Sequence, residues 1–272
     1  MFDNPCLLLY TLGEVVCMSE IKTAHDRLSA QANFVVKANA LIQKSRYSLT
    51  LTQQKQLLYI ISKIKPTDNP ETEYTFNARD FCRICNLEGD TKGYLTHTSK
   101  AFDDIGRLVI TIDEGDRLIK SHWFNEMVYD KKTDTFTVSF GKNITPYLFQ
   151  LQRLYTQYSL ETVLAMKSKY AIRLYELLLS YRNMRIKQVY SIDELKELLD
   201  CNTYKTFQHL QSRVLIPAIE DINSLTDIKV RYDTLKEGRR IVAIEFTVSY
   251  NADTHADNFL RRHMLLGGRE KP

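Results

Sequence analysis

Apolar residues recur along this chain with two periods, about 3.6 and 2, and their alternation gives one order of elements twice: helix, strand, helix, helix, β-hairpin. In the first pass Thr50 opens a helix with Gln53 three residues on, a capping-box spacing. Leu57, Leu58, Ile61 and Ile64 line its inner face, and Pro66 ends it. Residues 74–76 predict a strand, and Asn77 caps a helix over 78–87. Gly89, Asp90 and Gly93 turn the chain into a helix over 94–108. Strands over 108–112, 117–124 and 136–140 follow. In the second pass a helix around 160–166 precedes a strongly periodic one over 169–182, with Ile172, Tyr175, Leu178 and Leu179 inward. Residues 188–190 form a strand. Ser191, with Glu194 at the capping-box position, opens a helix that buries Leu195, Leu198 and Leu199. A long helix over 204–225 carries Pro217, which should kink it near Arg213 and Val214. Strands over 228–235 and 240–248 close the pass through a turn containing Gly238.

Asn77 matches Ser191 at an offset of 114, and Asp104-Ile105 matches Asp221-Ile222 at 117. Three helices followed by a hairpin are the winged form of the helix-turn-helix, so the expected fold is α+β with two tandem winged-helix domains. That arrangement favours a DNA-binding platform over an enzyme core.

The long helix carries the sharpest chemistry. At about 100° per residue, Phe207, Leu210, Val214, Ala218 and Ile222 make one buried stripe. Lys205, His209 and Ser212 fall opposite, flanked by Gln208 and Arg213, and no acid interrupts them. Such a face suits a major groove: long donors for guanine or phosphate, an amide for adenine, no carboxylate to repel the backbone. A plain solvated face is the alternative. The second hairpin offers Arg231, Lys236, Arg239 and Arg240 for flanking phosphates, against Asp233 and Glu237. A charged edge hairpin would look the same. The matching helix of the first pass presents Lys92, His97 and Lys100, then Asp103 and Asp104, a weaker reader or a backbone contact. Lys167, Ser168 and Lys169 at a helix start suit a phosphate clamp, or form an ordinary charged cap.

Charge supports this division. Residues 141–272 hold 20 Lys and Arg against 15 Asp and Glu, whereas residues 1–140 hold 17 against 18. Five irregularly spaced cysteines and no basic leader predict a reduced, cytoplasmic setting. No window is long and apolar enough for a membrane helix. Cys82 and Cys85 form a C-x-x-C without a second pair at zinc spacing, so core cysteines are expected, with no metal and no cofactor. No His-x-His accompanies the tyrosines, and His209-x-x-x-Arg213 is one residue too long for a tyrosine recombinase. Phosphate-loop, dinucleotide and zinc-protease motifs are absent, and no enzyme is expected. Residues 1–17 are apolar and lack Lys and Arg, and Met18-Ser19-Glu20 reads like an ordinary protein start.

Three blocks resemble the bacterial plasmid replication initiator (Rep) family. The first is Val35-Val36-Lys37-Ala38-Asn39 with Leu49-Thr50-Leu51-Thr52-Gln53-Gln54-Lys55 and Leu57–Ile64. The second is Ser168-Lys169-Tyr170-Ala171-Ile172-Arg173-Leu174-Tyr175-Glu176-Leu177-Leu178. The third is Arg213-Val214-Leu215-Ile216-Pro217-Ala218-Ile219-Glu220-Asp221-Ile222-Asn223, running to Thr226-Asp227 and Gly238-Arg239. The resemblance implies an initiator that binds direct repeats (iterons) at its own origin, helps melt an AT-rich stretch, and recruits the host replication initiator and replicative helicase. It also implies a homodimer that binds an operator inverted repeat and represses its own gene. The expected organisation is an N-terminal arm over 1–32, poorly ordered, and a first winged helix over 33–145 for dimerisation and accessory DNA contacts. A second winged helix over 146–250 is the main reader, and 251–272 is a tail. A tandem winged-helix transcription regulator or a pure interaction scaffold would share this fold. Strands 117–124 and 136–140 offer apolar, edge-like surface for the dimer.

Overall fold

The computed structural model describes residues 8–11, 14–17, 34–84, 91–181 and 187–251. Leu8–Thr11 (β1) and Glu14–Cys17 (β2) pair as an antiparallel hairpin in a unit distinct from Phe34–Asn251. The rest of the expected arm, the tail after Asn251, Cys85 and the turn at Gly89 and Asp90 lie outside the described residues.

Phe34–Asn251 opens with strand β3 (Phe34–Ala38), short helix α1 (Asn39–Lys44) and strand β4 (Ser45–Arg46). Helix α2 (Leu51–Ile61) follows, with a complete capping box: Thr50 Oγ1 accepts from the Gln53 amide at 3.3 Å, and Gln53 Oε1 accepts from the Thr50 amide at 2.9 Å. Then come β5 (Glu73–Asn77), α3 (Ala78–Ile84) and α4 (Thr91–Arg107). Asn77 Oδ1 accepts from the Arg79 amide and caps α3. Four strands follow: β6 (Val109–Asp113), β7 (Leu118–His122), β8 (Phe124–Asp130) and β9 (Thr135–Phe140). A 3-10 turn at Thr145–Tyr147 leads to the second half.

That half runs β10 (Tyr155–Ser159), α5 (Leu160–Ala165), α6 (Lys169–Ser180), β11 (Lys187–Ser191), α7 (Ile192–Leu198), α8 (Phe207–Leu210), a π-helical turn (Gln211–Leu215), α9 (Ile216–Leu225), β12 (Ile228–Glu237) and β13 (Arg240–Tyr250). At Ser191 the side-chain half of the capping box forms, with Oγ accepting from the Glu194 amide at 3.1 Å.

The sheets establish the duplication more firmly than sequence offsets do. The first half has strand order β5-β9-β8 and the second β11-β13-β12, all antiparallel. In each, the short strand before the second helix pairs with the last hairpin strand. The first wing is therefore β8–β9. The expected single strand over 117–124 is divided by Trp123, and β8 was not foreseen. A register irregularity between Phe124 and Glu126 breaks the period of 2 from which a strand is read. β9 is not an edge either. It lies between β5 and β8, with Phe136, Val138 and Phe140 buried, so it is no dimer surface. Strands β6 and β7 instead join β4 in a separate sheet, with β7 at its edge and Leu118 exposed.

β3 and β10 pair antiparallel, from Phe34 opposite Ser159 to Ala38 opposite Tyr155. The helix after each strand then crosses over. α1 packs on α6 of the second half, and α5 packs on α2 of the first. Lys55 Nζ of α2 donates to the Leu164 carbonyl near the end of α5, at 2.6 Å. The repeat thus begins one strand and one helix earlier than the sequence shows in the first half, and one strand earlier in the second.

The long helix also differs from expectation. Thr206 is its cap, accepting from the His209 amide at 3.3 Å, so the helix starts at Phe207 and Lys205 precedes it. Pro217 has no amide to give to the carbonyl four residues back and its ring crowds that turn. The helix answers by widening into the π-helical turn directly before Ile216-Pro217, where a kink was expected. Leu210, Val214, Ala218 and Ile222 are buried as expected, whereas Phe207 is half-buried. We expect Leu210→Ala to cost about 2–5 kcal/mol in urea unfolding. Phe207→Ala should cost clearly less, because solvent already reaches the ring.

Candidate nucleic-acid interface

Thr206 ends the turn from α7 and starts α8 so that one side of the helix packs inward through Leu210 and Val214. That packing leaves Gln208, His209, Ser212 and Arg213 exposed together on the other side. Lys205 is exposed just before the cap. It belongs to the loop rather than to the first helical turn. The structure adds Ile216, which is 41% exposed and lies four residues after Ser212. An apolar side chain among donors can touch a thymine methyl group. At about 100° per residue Ile216 falls opposite the buried stripe, a position that a search for polar donors passes over. Gln211 sits between the two faces, and its Nε2 donates to the Tyr232 hydroxyl of β12 at 2.8 Å. This bond ties the π-helical turn to the wing.

The wing's turn is Gly238-Arg239, and Gly238 has φ of 61°, a conformation that suits glycine. Lys236, Arg239 and Arg240 are exposed around it, with Glu237 among them. Arg231 does not join them. It pairs across from Thr247, on a row that also holds Lys187, and is seven residues from Gly238. At about 3.3 Å per residue that is roughly 23 Å from the tip.

In the first half, His97 and Lys100 are exposed on α4. Lys92 is in its first turn, and its side chain lies outside what the structure describes. Thr98 faces inward, where its carbonyl accepts from Gln56 Nε2 at 2.8 Å. Asp103 and Arg107 pair with each other at 2.7 Å. By sheet order the first wing's tip is Lys131-Lys132, both exposed.

The stretch 167–169 is not an open phosphate clamp. Asp221 Oδ2 accepts from the Lys167 amide at 2.8 Å and from the Ser168 amide at 3.1 Å. Ser168 Oγ accepts from the Tyr170 amide, and Lys169 Nζ pairs with Asp200 at 2.9 Å. The donors that would hold a phosphate already hold a carboxylate of α9. Lys167 alone of the three keeps an exposed side chain. Cys82 is buried against Thr98 Oγ1 at 3.3 Å, and burial pushes the buried Cys201 thiol up to about 11. Both sit in the core, and Cys201 holds its proton there. Among the described residues no group of His, Cys, Asp and Glu could hold a metal ion, and no helix is long and apolar enough to cross a membrane.

Two winged helices in one chain, one with an acid-free helix face beside a basic hairpin tip, define a tandem winged-helix protein. Residues 34–179 match the family described as "Initiator Replication protein, WH1", and residues 191–248 match "Initiator Rep protein, WH2". The chain belongs to this initiator family. It is 29% identical over 230 residues to a "Replication initiation protein" of Escherichia coli, covering 79% of this chain and 69% of that one. Its fold resembles the Pi initiator protein, solved in complex with iteron DNA, with a TM-score of 0.62 and 20% identity over 82% of this chain and 99% of that one.

Removing the Asp221 carboxylate leaves two helix-start amides unpartnered. Asp221→Ala should cost about 0.5–2 kcal/mol in thermal or urea unfolding, while Lys167→Ala should stay within about 0.5 kcal/mol.

Proposed function

We propose that this chain initiates plasmid replication by binding iteron DNA at its own origin. The second winged helix, over 146–250, is the main sequence reader. The first, over 33–145, adds DNA contacts and the dimer surface. The observation that carries this reading is the exposed row Gln208, His209, Ser212, Arg213 and Ile216, free of acids and braced to the basic wing by the Gln211–Tyr232 hydrogen bond. Membership of the initiator family and the iteron DNA bound by the Pi initiator support it. In the same reading, bound monomers melt the AT-rich stretch and recruit the host initiator and replicative helicase. Dimers occupy the operator inverted repeat and repress the gene. A transcription regulator would use the same surfaces but would not make an origin-bearing DNA replicate.

The helix and the wing should fail differently. Arg213→Ala or Lys205→Ala should weaken binding to the specific repeat by about 1–3 kcal/mol and relax the choice of base at one position. Arg239→Ala should weaken binding to all sequences alike, and the slope of log K against log salt should shrink by about one unit. Titrations on the repeat and on scrambled DNA at several salt concentrations separate the two. Full affinity and discrimination in both helix variants would remove this helix as the reader.

Of the two stretches expected to form the dimer surface, this reading keeps 117–124 through β7, an edge strand that carries the exposed Leu118, and drops β9. Leu118→Lys should shift the monomer–dimer equilibrium toward monomer in sedimentation, because a charge on an edge discourages strand pairing between copies. An unchanged equilibrium would place the contact elsewhere.

A further inference from the structure

The core where the two halves meet contains charges. Lys37 of β3 is 3% exposed and makes an ion pair with the buried Glu176 of α6. The Tyr158 hydroxyl of β10 donates to the same carboxylate. One turn earlier on α6, buried Arg173 faces Glu176 Oε2 with Nη1 at 3.8 Å. Its Nε donates to the Leu198 carbonyl of α7 at 3.1 Å and its Nη2 to the Ser45 carbonyl of β4 at 2.9 Å. The guanidinium lies over the Tyr47 ring, 4.9 Å from its centre. One carboxylate and one guanidinium on a single helix thus hold β3 and β4 of the first half, and β10 and α7 of the second. Neighbouring bonds repeat the pattern: Asn39 Nδ2 donates to the Ser180 carbonyl, Gln43 Nε2 to Ser180 Oγ, and Thr156 Oγ1 to Asn39 Oδ1.

Stability does not explain this choice. Charges taken out of water lose about as much in hydration as they regain in pairing, and apolar residues of similar volume often do as well or better. Apolar surfaces, however, tolerate sliding and repacking. A buried ion pair with fixed hydrogen bonds does not, because any shift leaves a charge unpaired. These contacts lie between two units that each carry a reading helix and a wing.

We infer that the Lys37–Glu176 pair, with Arg173 and Tyr158, sets the protein's specificity for spacing within its DNA site. It fixes the separation and the angular phase of the two reading surfaces, so that a site is bound by both only when its two tracts are correctly spaced. The inference rests on the proposed reading that both units touch DNA.

The test uses the full chain and its origin repeat, with versions carrying one or two base pairs inserted between the tracts that each unit covers. Two base pairs turn the second tract by about 70°, since the duplex repeats every 10–10.5 bp. The unaltered protein should lose at least about tenfold in affinity on this insertion, the equivalent of about 1.4 kcal/mol. The double variant Lys37→Met/Glu176→Leu keeps volume and removes the ion pair, leaving Arg173 held by the Leu198 and Ser45 carbonyls and the Tyr47 ring, and its melting curve checks that it folds cooperatively. Its penalty for the insertion should fall below about threefold, whatever its affinity for the native spacing. Tyr158→Phe keeps the ion pair, serves if the double variant does not fold, and should show an intermediate penalty. A folded double variant, or a folded Tyr158→Phe, with the full penalty would overturn the inference. If the unaltered protein shows no penalty and footprints on one tract only, the premise of two DNA-contacting units fails instead, and the inference falls with it.

Discussion

The antiparallel pairing of β3 with β10 is the constraint from which the rest of the architecture follows. Each winged-helix half opens with a strand and a short helix that cannot bury themselves alone. Pairing the two strands satisfies their backbone groups in the interior. It also sends α1 onto α6 and α5 onto α2, so each half completes the other's core. Helix α6 pays the consequence. Ala171–Ser180 is buried on every side, as befits a helix between two layers, and it still carries Arg173 and Glu176. Burial pulls the Lys37 ammonium below its usual value while Glu176 opposes that pull, and burial with the same carboxylate raises the Tyr158 hydroxyl. Truncating one member of a buried pair of this kind costs about 3–5 kcal/mol, so the junction is held against partial change.

A fixed junction gives meaning to the chemistry at the surface. Helix α8 and its π-helical turn present donors of different length and one apolar side chain, and Tyr232 braces them against the wing. Pro217 directly follows the widened turn, which keeps the donors in the stretch before the proline and the packed residues Ala218 and Ile222 after it. Asp221 then links α9 to the start of α6 through two backbone amides. The proposed reading helix is therefore anchored through its C-terminal part to the helix that holds the junction charges. A basic surface binds polyanions in general; one anchored in this way also has a direction and a phase.

Much of this was legible in the sequence because local rules and the fold agree. The cap at Thr50 and those at Asn77 and Ser191, the stripe from Leu210 to Ile222, and the glycine at the wing's turn all follow from residue type and spacing. Legibility failed where tertiary contacts overrule the local pattern. β3 was missed because its buried positions are Val35 and Lys37, and a lysine facing the core reverses the hydrophobic alternation. β8 was missed because a bulge interrupts its period. The clamp at 167–169 looked open because its occupant, Asp221, lies 53 residues away from Ser168. The helix start moved from 204 to 207 because Thr206 competes successfully as a cap. In the site, the polar face was readable residue by residue. Ile216 belonged to it by the same geometry, and the separation of Arg231 from the wing tip needed the strand register.

In the proposed function both winged helices of one chain read one origin repeat, the second through the exposed row from Gln208 to Ile216. A hydroxyl-radical footprint of the full chain on a single repeat tests this most directly. Two protected tracts are expected on one face of the duplex, about one helical turn or a multiple of it apart. The tract assigned to the second unit should be lost selectively when Gln208, His209, Ser212 and Arg213 are all replaced by alanine. A single protected tract, or two tracts that both survive that replacement, would contradict it.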